Sequence, residues 1–326
     1  MERLDAKKIP IGLVGAGFMG ENHLRNLITL SGVEIVGIFD SDPSKADALA
    51  KKYRVPRAQS LHDLLKQAEA VVICVPTTAH YDVASEAVRN GCHVFLEKPF
   101  THTVDEARSL CRLADKHKVH IQVGHVERFN PVIQTLLKSV RYENLLMGEF
   151  YRYVPLRKHI DADVLLTLMV HDLDLILRLA DRMKTSPVRF AASGRTVHPK
   201  EMNRGLIDNA MVQILFDSSF LVNVHAVRTG ALHRREIILT ETDRTWVADL
   251  LNHRLHLFTR LGRHTKQVDH RTVKIPATPP LLEEIKHFVS SVKTGRPPLV
   301  THRDGLNVME LVEKIRSNMK TGSDAM

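Results

Sequence analysis

The sequence predicts an α/β protein whose first half is a doubly wound parallel sheet and whose second half is rich in β-strands. Two observations carry this expectation. From Ile9 to about Val123, short apolar runs rich in Val and Ile alternate with amphipathic segments. In the second half, MVQILFD, FLVNVHAVR, REIILTET and TWVADLL have the length and β-branched content of strands, and Asp217-Ser218-Ser219 supplies a turn between two of them. A chain of 326 residues exceeds one ordinary domain and suits two.

In order, the apolar runs of the first half are IPIGLVG, VEIVGIFD, AVVICV, CHVFLE and VHIQVG. They lack polar alternation, as strands do when helices cover both faces of their sheet. Between them, SLHDLLKQA, HYDVASEAVRNG and TVDEARSLCRLADKHK carry helical periodicity. Thr103, with Glu106 three residues on, forms a capping box at the start of the last of these. Gly91 stands where a C-terminal glycine would stop the one before.

Directly after the first strand comes Gly15-Ala16-Gly17-Phe18-Met19-Gly20. Gly15 permits a tight turn, Gly17 lets backbone approach a pyrophosphate, and Gly20 allows close helix–strand packing. The helix that begins here would aim its free N–H groups and positive dipole end at the phosphates. Asp40 closes the second strand, where a carboxylate would bond the adenosine-ribose hydroxyls. The following residues are Ser41, Asp42 and Pro43, with no arginine to receive a 2′-phosphate, so the expected cofactor is NAD rather than NADP.

Composition narrows the function classes. Hydrophobic content of 44% with 25% charged residues is ordinary for a globular chain with a sizeable core. No stretch approaches the roughly 18–20 apolar residues of a membrane span. The start, MERLDAKKIP, lacks a secretory apolar segment, so a cytoplasmic protein is expected. Cys74, Cys92 and Cys111 are odd in number and lack metal-type spacing; inert thiols in a reducing compartment, and no metal site, are expected. The net charge of +9 is spread along the chain without basic blocks, which argues against nucleic acid and suits a cleft for an anionic small molecule.

Val75-Pro76-Thr77-Thr78-Ala79-His80 follows AVVICV, and Glu97-Lys98-Pro99 ends CHVFLE. With the glycine loop, these segments resemble the glucose–fructose oxidoreductase/inositol dehydrogenase/MocA (Gfo/Idh/MocA) family, the Glu-Lys-Pro triplet being the most specific mark. Leu282-Glu283-Glu284-Ile285, Phe288, Gly295-Arg296-Pro297-Pro298 and Asp304-Gly305-Leu306 resemble the closing helices of that family, so the resemblance spans about residues 9 to 320. It implies a Rossmann domain, 1–124, and a C-terminal α/β domain, 125–326, with a large open, mostly antiparallel sheet that often forms a homodimer or homotetramer interface. It also implies that Lys98 lies beside the nicotinamide and the reacting hydroxyl. Pro76, Thr77, His80 and Glu97 join the glycine loop, Asp40 and Ser41 in the expected cofactor set. His80 could equally be a first-turn helix residue facing water.

A second constellation runs from Asp163 to Arg178. On a helix, Thr167, His171, Asp174 and Arg178 share one face, and the stretch is otherwise apolar apart from Asp172. The family places its catalytic histidine on this helix, which makes His171 the expected acceptor of the substrate hydroxyl proton. Imidazole titrates near neutrality and suits that role. Many members carry Asp where this chain has Thr167, and Asp174 is the substitute considered for orienting His171.

Gly124-His125-Val126-Glu127-Arg128-Phe129-Asn130-Pro131 resembles the segment of family members acting on nucleotide-linked N-acetylamino sugars, especially UDP-N-acetylglucosamine 3-dehydrogenases. Arg128, Phe129, Asn130, Arg152 and Arg157 are therefore expected at the substrate, with the arginines on its pyrophosphate. Asn130 also suits the cap of a helix begun by Pro131. The resemblance implies oxidation of the sugar 3-hydroxyl to a ketone, the usual input of a pyridoxal-phosphate aminotransferase. Other sugars, inositol, a uronic-acid nucleotide sugar or a non-catalytic dinucleotide-binding regulator remain alternatives.

Overall fold

A computed structural model describes residues 8–155, 162–198, 205–262 and 266–321. The first half builds five strands, β1 (Ile9–Val14), β2 (Val33–Phe39), β3 (Ala70–Ile73), β4 (His93–Leu96) and β5 (Ile121–Val123). All pair in parallel, in the order β2-β1-β3-β4-β5. The helices α1 (Phe18–Leu27), α2 (Pro43–Tyr53), α3 (Leu61–Gln67), α4 (His80–Arg89) and α5 (Val104–His117) lie between them in sequence. Every residue of β3 is buried, which explains the unbroken apolar run there. Strand order reverses beside β1, with β2 on one side and β3 on the other. The turns after β1 and β3 therefore flank a topological switch point, the usual ligand crevice of such sheets.

Local chemistry sets the helix ends. Thr103 accepts the Glu106 N–H while Glu106 reaches back, so the expected capping box is present. Asp42 caps α2 by accepting the Ser44 N–H, with Pro43 in the first helical position, and Ser60 caps α3. Gly91, at φ +80°, follows the end of α4 as anticipated.

The second half adds α6 (Pro131–Ser139), β6 (Leu145–Tyr153), a π-helical segment Leu165–Met169, and α7 (Val170–Met183). Strands β7 (Pro187–Arg195), β8 (Asn209–Phe216), β9 (Leu221–Val227), β10 (Arg234–Glu241), β11 (Arg244–Asp249), β12 (Arg254–Arg260) and β13 (Val268–Val273) follow. Then come α8 (Pro280–Thr294), α9 (His302–Ser317) and β14 (Met319–Thr321). Among the described residues the second sheet has nine strands, ordered β13-β12-β11-β10-β6-β9-β8-β7-β14. It is mostly antiparallel; β6 with β9 and β14 with β7 are the parallel pairs. Along β6, Gly148, Phe150 and Arg152 are buried while Glu149, Tyr151 and Tyr153 are only partly covered, the alternation of a sheet with one packed face.

The chain divides into two compact units, 1–126 with 279–309, and 127–278 with 310–326. The boundary thus falls within two residues of the expected one, but the assignment of everything after residue 124 to the second domain needs correction. The reason is the apolar face of α8: Ile285, Phe288 and Val292 enter the core of the first unit with Leu24, Leu27 and Phe95. Phe288 meets Phe95 edge-on at a centroid distance of 5.8 Å. Phe288→Ala is expected to destabilise the first unit by ~3–5 kcal/mol. Urea unfolding followed by a probe in that unit checks it, and an unchanged midpoint would detach α8 from this core.

Candidate active site

The three glycines of the loop after β1 answer to three different constraints. Gly15 has φ +97°, and a Cβ there would lie 2.5 Å from the Cys74 carbonyl oxygen after β3. A Cβ at Gly20 would lie 1.9 Å from the Gly15 carbonyl oxygen, so α1 can pack this closely on the turn only without a side chain. Gly17 faces open space, with nothing within 4 Å of its missing Cβ, just where α1 begins. That opening, at a helix end whose first N–H groups lack intrahelical partners, fits a dinucleotide pyrophosphate. Phe18 and Met19 are exposed beside it. Asp40 stands against the same loop, accepting the Ala16 N–H at 2.7 Å and the Asp42 N–H at 2.8 Å. Ser41 is exposed next to it. These residues would hold NAD.

The turns after β3 and β4 are joined by His80. Its Nδ1 lies 2.8 Å from the Pro99 carbonyl and its Nε2 3.0 Å from the Val75 carbonyl. His80 is 1% exposed, which corrects the reading of a water-facing helix residue; it braces the turns that carry Pro76, Thr77 and Lys98. A neutral imidazole donates to only one of the two carbonyls, and burial lowers the His80 pKa. Pro76 is exposed and Thr77 buried.

Glu97 is buried and accepts from two directions: its Oε1 meets His23 Nε2 at 2.7 Å, and its Oε2 accepts the Lys98 backbone N–H at 3.1 Å. Burial, the largest influence, pushes this carboxyl up, but the His23 hydrogen bond and charge, with Lys98, leave it below the usual range. Glu97 therefore supports the strand end rather than presenting itself to a ligand. Lys98, half-buried and joined to Pro99 by a cis peptide, ends the motif. His23 was not foreseen. Its signal was its place among Gly20, Leu24 and Leu27 on the buried face of α1, where a histidine requires a polar partner.

In the second unit, Thr167 belongs to the π-helical segment and His171 to the first turn of α7; both are partly exposed. Thr167 Oγ1 donates to the Asp163 carbonyl at 2.8 Å. The expected shared face needs correction at Thr167, which the wide π turn sets out of register, while His171, Asp174 and Arg178 all lie on the regular α7. Asp174 is fully buried, and Arg178 pairs with Asp181 at 3.3 Å. Asp174 takes a two-pronged contact from Arg128, at 2.8 Å to Nε and 2.6 Å to Nη2.

Arg152 likewise forks onto Asp172 at 2.9 and 2.8 Å and reaches Glu127 at 3.2 Å. The pyrophosphate role expected of Arg128 and Arg152 is thus corrected: both are buried and turned onto internal carboxylates, the outcome required when a guanidinium leaves water. Asn130 accepts the Val132 N–H at 3.0 Å and caps α6, with Pro131 first in the helix, and Phe129 is buried. Arg157 lies outside the described residues. Among the described residues, no group of three or more His, Cys, Asp or Glu side chains is arranged to hold a metal ion, and no helix is long and apolar enough to cross a membrane.

A parallel sheet with a glycine loop at its switch point and a carboxylate beside that loop defines a dinucleotide-binding oxidoreductase. Residues 9–125 match the GFO_IDH_MocA oxidoreductase family, NAD-binding Rossmann fold, and over nearly its whole length the chain is similar to dehydrogenases. It is 28% identical over 310 residues to UDP-N-acetylglucosamine 3-dehydrogenase of Acidithiobacillus ferrooxidans, covering 94% of this chain and 95% of the relative. The solved structure of that enzyme superposes with a TM-score of 0.87 at 27% identity, covering 96% of this chain and 98% of the other. A second relative, scyllo-inositol 2-dehydrogenase (NAD(+)) of Bacillus subtilis, is 24% identical over 332 residues, covering 97% of this chain and 95% of its own.

Two outcomes follow from this geometry. Gly20→Ala is expected to cost ~1–3 kcal/mol of stability by forcing the Gly15 carbonyl away. Gly17→Ala should change stability by less than about 0.5 kcal/mol yet weaken NAD binding, since its methyl fills the phosphate opening; thermal unfolding with calorimetric NAD titration separates the two. The second concerns pH. Burial lowers the pKa of His80, His93, His287 and His302, all in the first unit. The unfolded chain takes up these protons near pH 6.5 while the folded chain resists them. Stability is therefore full above about pH 6.5 and falls as pH drops below it. Urea midpoints at about pH 7.5 and about pH 5 measure the loss, and His80→Gln should reduce it.

Proposed function

We propose that this dehydrogenase oxidises the 3-hydroxyl of UDP-N-acetylglucosamine to the 3-keto sugar nucleotide. The observation that carries the reading is the near end-to-end similarity to the Acidithiobacillus ferrooxidans enzyme of that activity, in sequence and in structure. NAD, when bound, accepts the hydride from the carbinol carbon. His171 takes the hydroxyl proton, and Lys98, at the end of β4, stabilises the oxygen as the carbonyl forms. The glycine loop and Asp40 hold the dinucleotide, and Thr77 belongs to its nicotinamide end. Arg157 stays the arginine assigned to the substrate pyrophosphate, since Arg128 and Arg152 are otherwise engaged. The product, a reactive ketone, suits consumption by a pyridoxal-phosphate aminotransferase. The enzyme works in the cytoplasm as a homodimer or homotetramer through the open face of its large sheet, without nucleic-acid or membrane partners.

The similarity to scyllo-inositol 2-dehydrogenase supports a second reading, a free polyol as substrate. NADH formation by the purified chain with UDP-N-acetylglucosamine, and separately with scyllo-inositol, decides between them. Turnover is expected with the sugar nucleotide, and Lys98→Ala and His171→Ala should each lower kcat by ~10²–10⁴-fold. Turnover of inositol alone would move the assignment to the polyol reading, and activity undiminished in both variants would remove these residues from the chemistry.

A further inference from the structure

The first turn of α7 is gripped on both sides of His171. Successive residues of an α-helix lie about 100° apart around its axis, so Asp172 sits about 100° to one side of His171 and Asp174 about 60° to the other. Each carboxylate receives a two-pronged guanidinium from a different place in the second unit. Arg152, near the end of β6, takes Asp172 at 2.9 and 2.8 Å. Arg128, in the short turn before α6, takes Asp174 at 2.8 and 2.6 Å. Glu127, next to Arg128 in the chain, accepts from Arg152 Nη1 at 3.2 Å and from Asn130 Nδ2 at 2.9 Å. All six of these polar side chains are buried.

Stability alone does not call for this arrangement. A buried ion pair exchanged for well-packed apolar residues is often as stable or more so. What a fork on a carboxylate supplies is direction, because the planar guanidinium fixes both the distance and the rotation of its partner. Direction is needed here because α7 follows the π-helical segment Leu165–Met169, whose wider turn breaks the regular register just before His171. Burial alone would weaken the Arg152 charge, but Asp172 and Glu127 outweigh it and hold the guanidinium firmly protonated. Burial, the largest influence on Asp172, leaves its carboxyl above the ordinary value despite the Arg152 charge and hydrogen bond.

We propose that Arg128 and Arg152, acting through Asp174 and Asp172, are positioning residues that fix the rotation of α7 about its axis and so the direction of the His171 imidazole. The effect on turnover rests on the assignment of His171 to proton transfer, whereas the effect on the imidazole itself does not. All four gripping residues are buried; a rotation of α7 misdirects His171 while leaving the groups that hold NAD unchanged.

The test uses the full chain, labelled with carbon-13 at histidine Cε1, with the His171 signal identified by its loss in His171→Gln. Arg128→Met combined with Asp174→Leu removes one fork without stranding a buried charge, and Arg128→Lys keeps the charge while losing the fork. In both, the His171 signal is expected to shift or broaden while that of His225, on β9 of the same unit, stays in place. With UDP-N-acetylglucosamine and NAD, kcat should fall ~10- to 100-fold, with KM held within about threefold. A merely structural role would lower the thermal midpoint and leave the His171 signal and the kcat of the folded protein where they were; that result overturns the proposal. If the parent chain does not turn over this sugar nucleotide, the functional reading fails, and the His171 signal alone still decides whether the forks position the ring.

Discussion

A guanidinium taken out of water has to meet a carboxylate or a carbonyl, and this requirement shapes the second unit around residues 162–174. Four arginines hold that stretch, three of them buried and the fourth, Arg316, exposed. Arg228 donates to the Ala162 carbonyl at 2.7 Å while its Nε meets Asp208 at 2.8 Å. Arg316 reaches Asp163 at 2.6 Å, and Asp163 in turn receives the Leu166 N–H at 3.1 Å. Arg152 and Arg128 then take Asp172 and Asp174. Asp208 is itself tightly fixed: burial would push its carboxyl up, but the backbone N–H groups of His198 and Val197 and the Arg228 contact hold it well below the usual carboxylate range. An irregular π turn followed by a partly exposed histidine is thereby set in a frame of directional contacts in addition to its apolar packing.

The first unit solves a different problem. At its glycine loop the controlling quantity is how closely main chain can approach main chain. Gly15 against the Cys74 carbonyl and Gly20 against the Gly15 carbonyl bring β1, α1 and the turn after β3 together, and Gly17 keeps the space above them open. Behind this surface, His80 and the His23–Glu97 pair brace the turns that end β3 and β4. Lys98 and the residue that braces its strand end are adjacent in the chain but differ in burial: Lys98 is half-exposed, while Glu97 is buried.

Much of this was legible in residue order. The five parallel strands, the capping box at Thr103 and the four second-half strands built around MVQILFD, FLVNVHAVR, REIILTET and TWVADLL all follow from local periodicity and turn chemistry. Less was legible where apolar runs are short or interrupted: β12 and β13 carry His256, Arg260, His270 and Arg271, which interrupt their apolar runs. The docking of α8 on the first unit was hidden for another reason. Its apolar face is evident from Ile285, Phe288 and Val292, but an amphipathic helix does not name the core that it enters.

The sequence by itself determined the glycine loop, the carboxylate after β2, the Lys98 strand end and the position of His171 in a helix, because each depends on residues close together in the chain. Only the tertiary structure decided which buried charge meets which. Arg128 and Asp174 are 46 residues apart, Arg152 and Asp172 are 20 apart, and His23 and Glu97 are 74 apart. Read in order, an arginine beside a ligand-binding segment is equally suited to a phosphate or to an internal carboxylate, since both accept the same fork. The choice belongs to burial, and burial is a property of the packed chain.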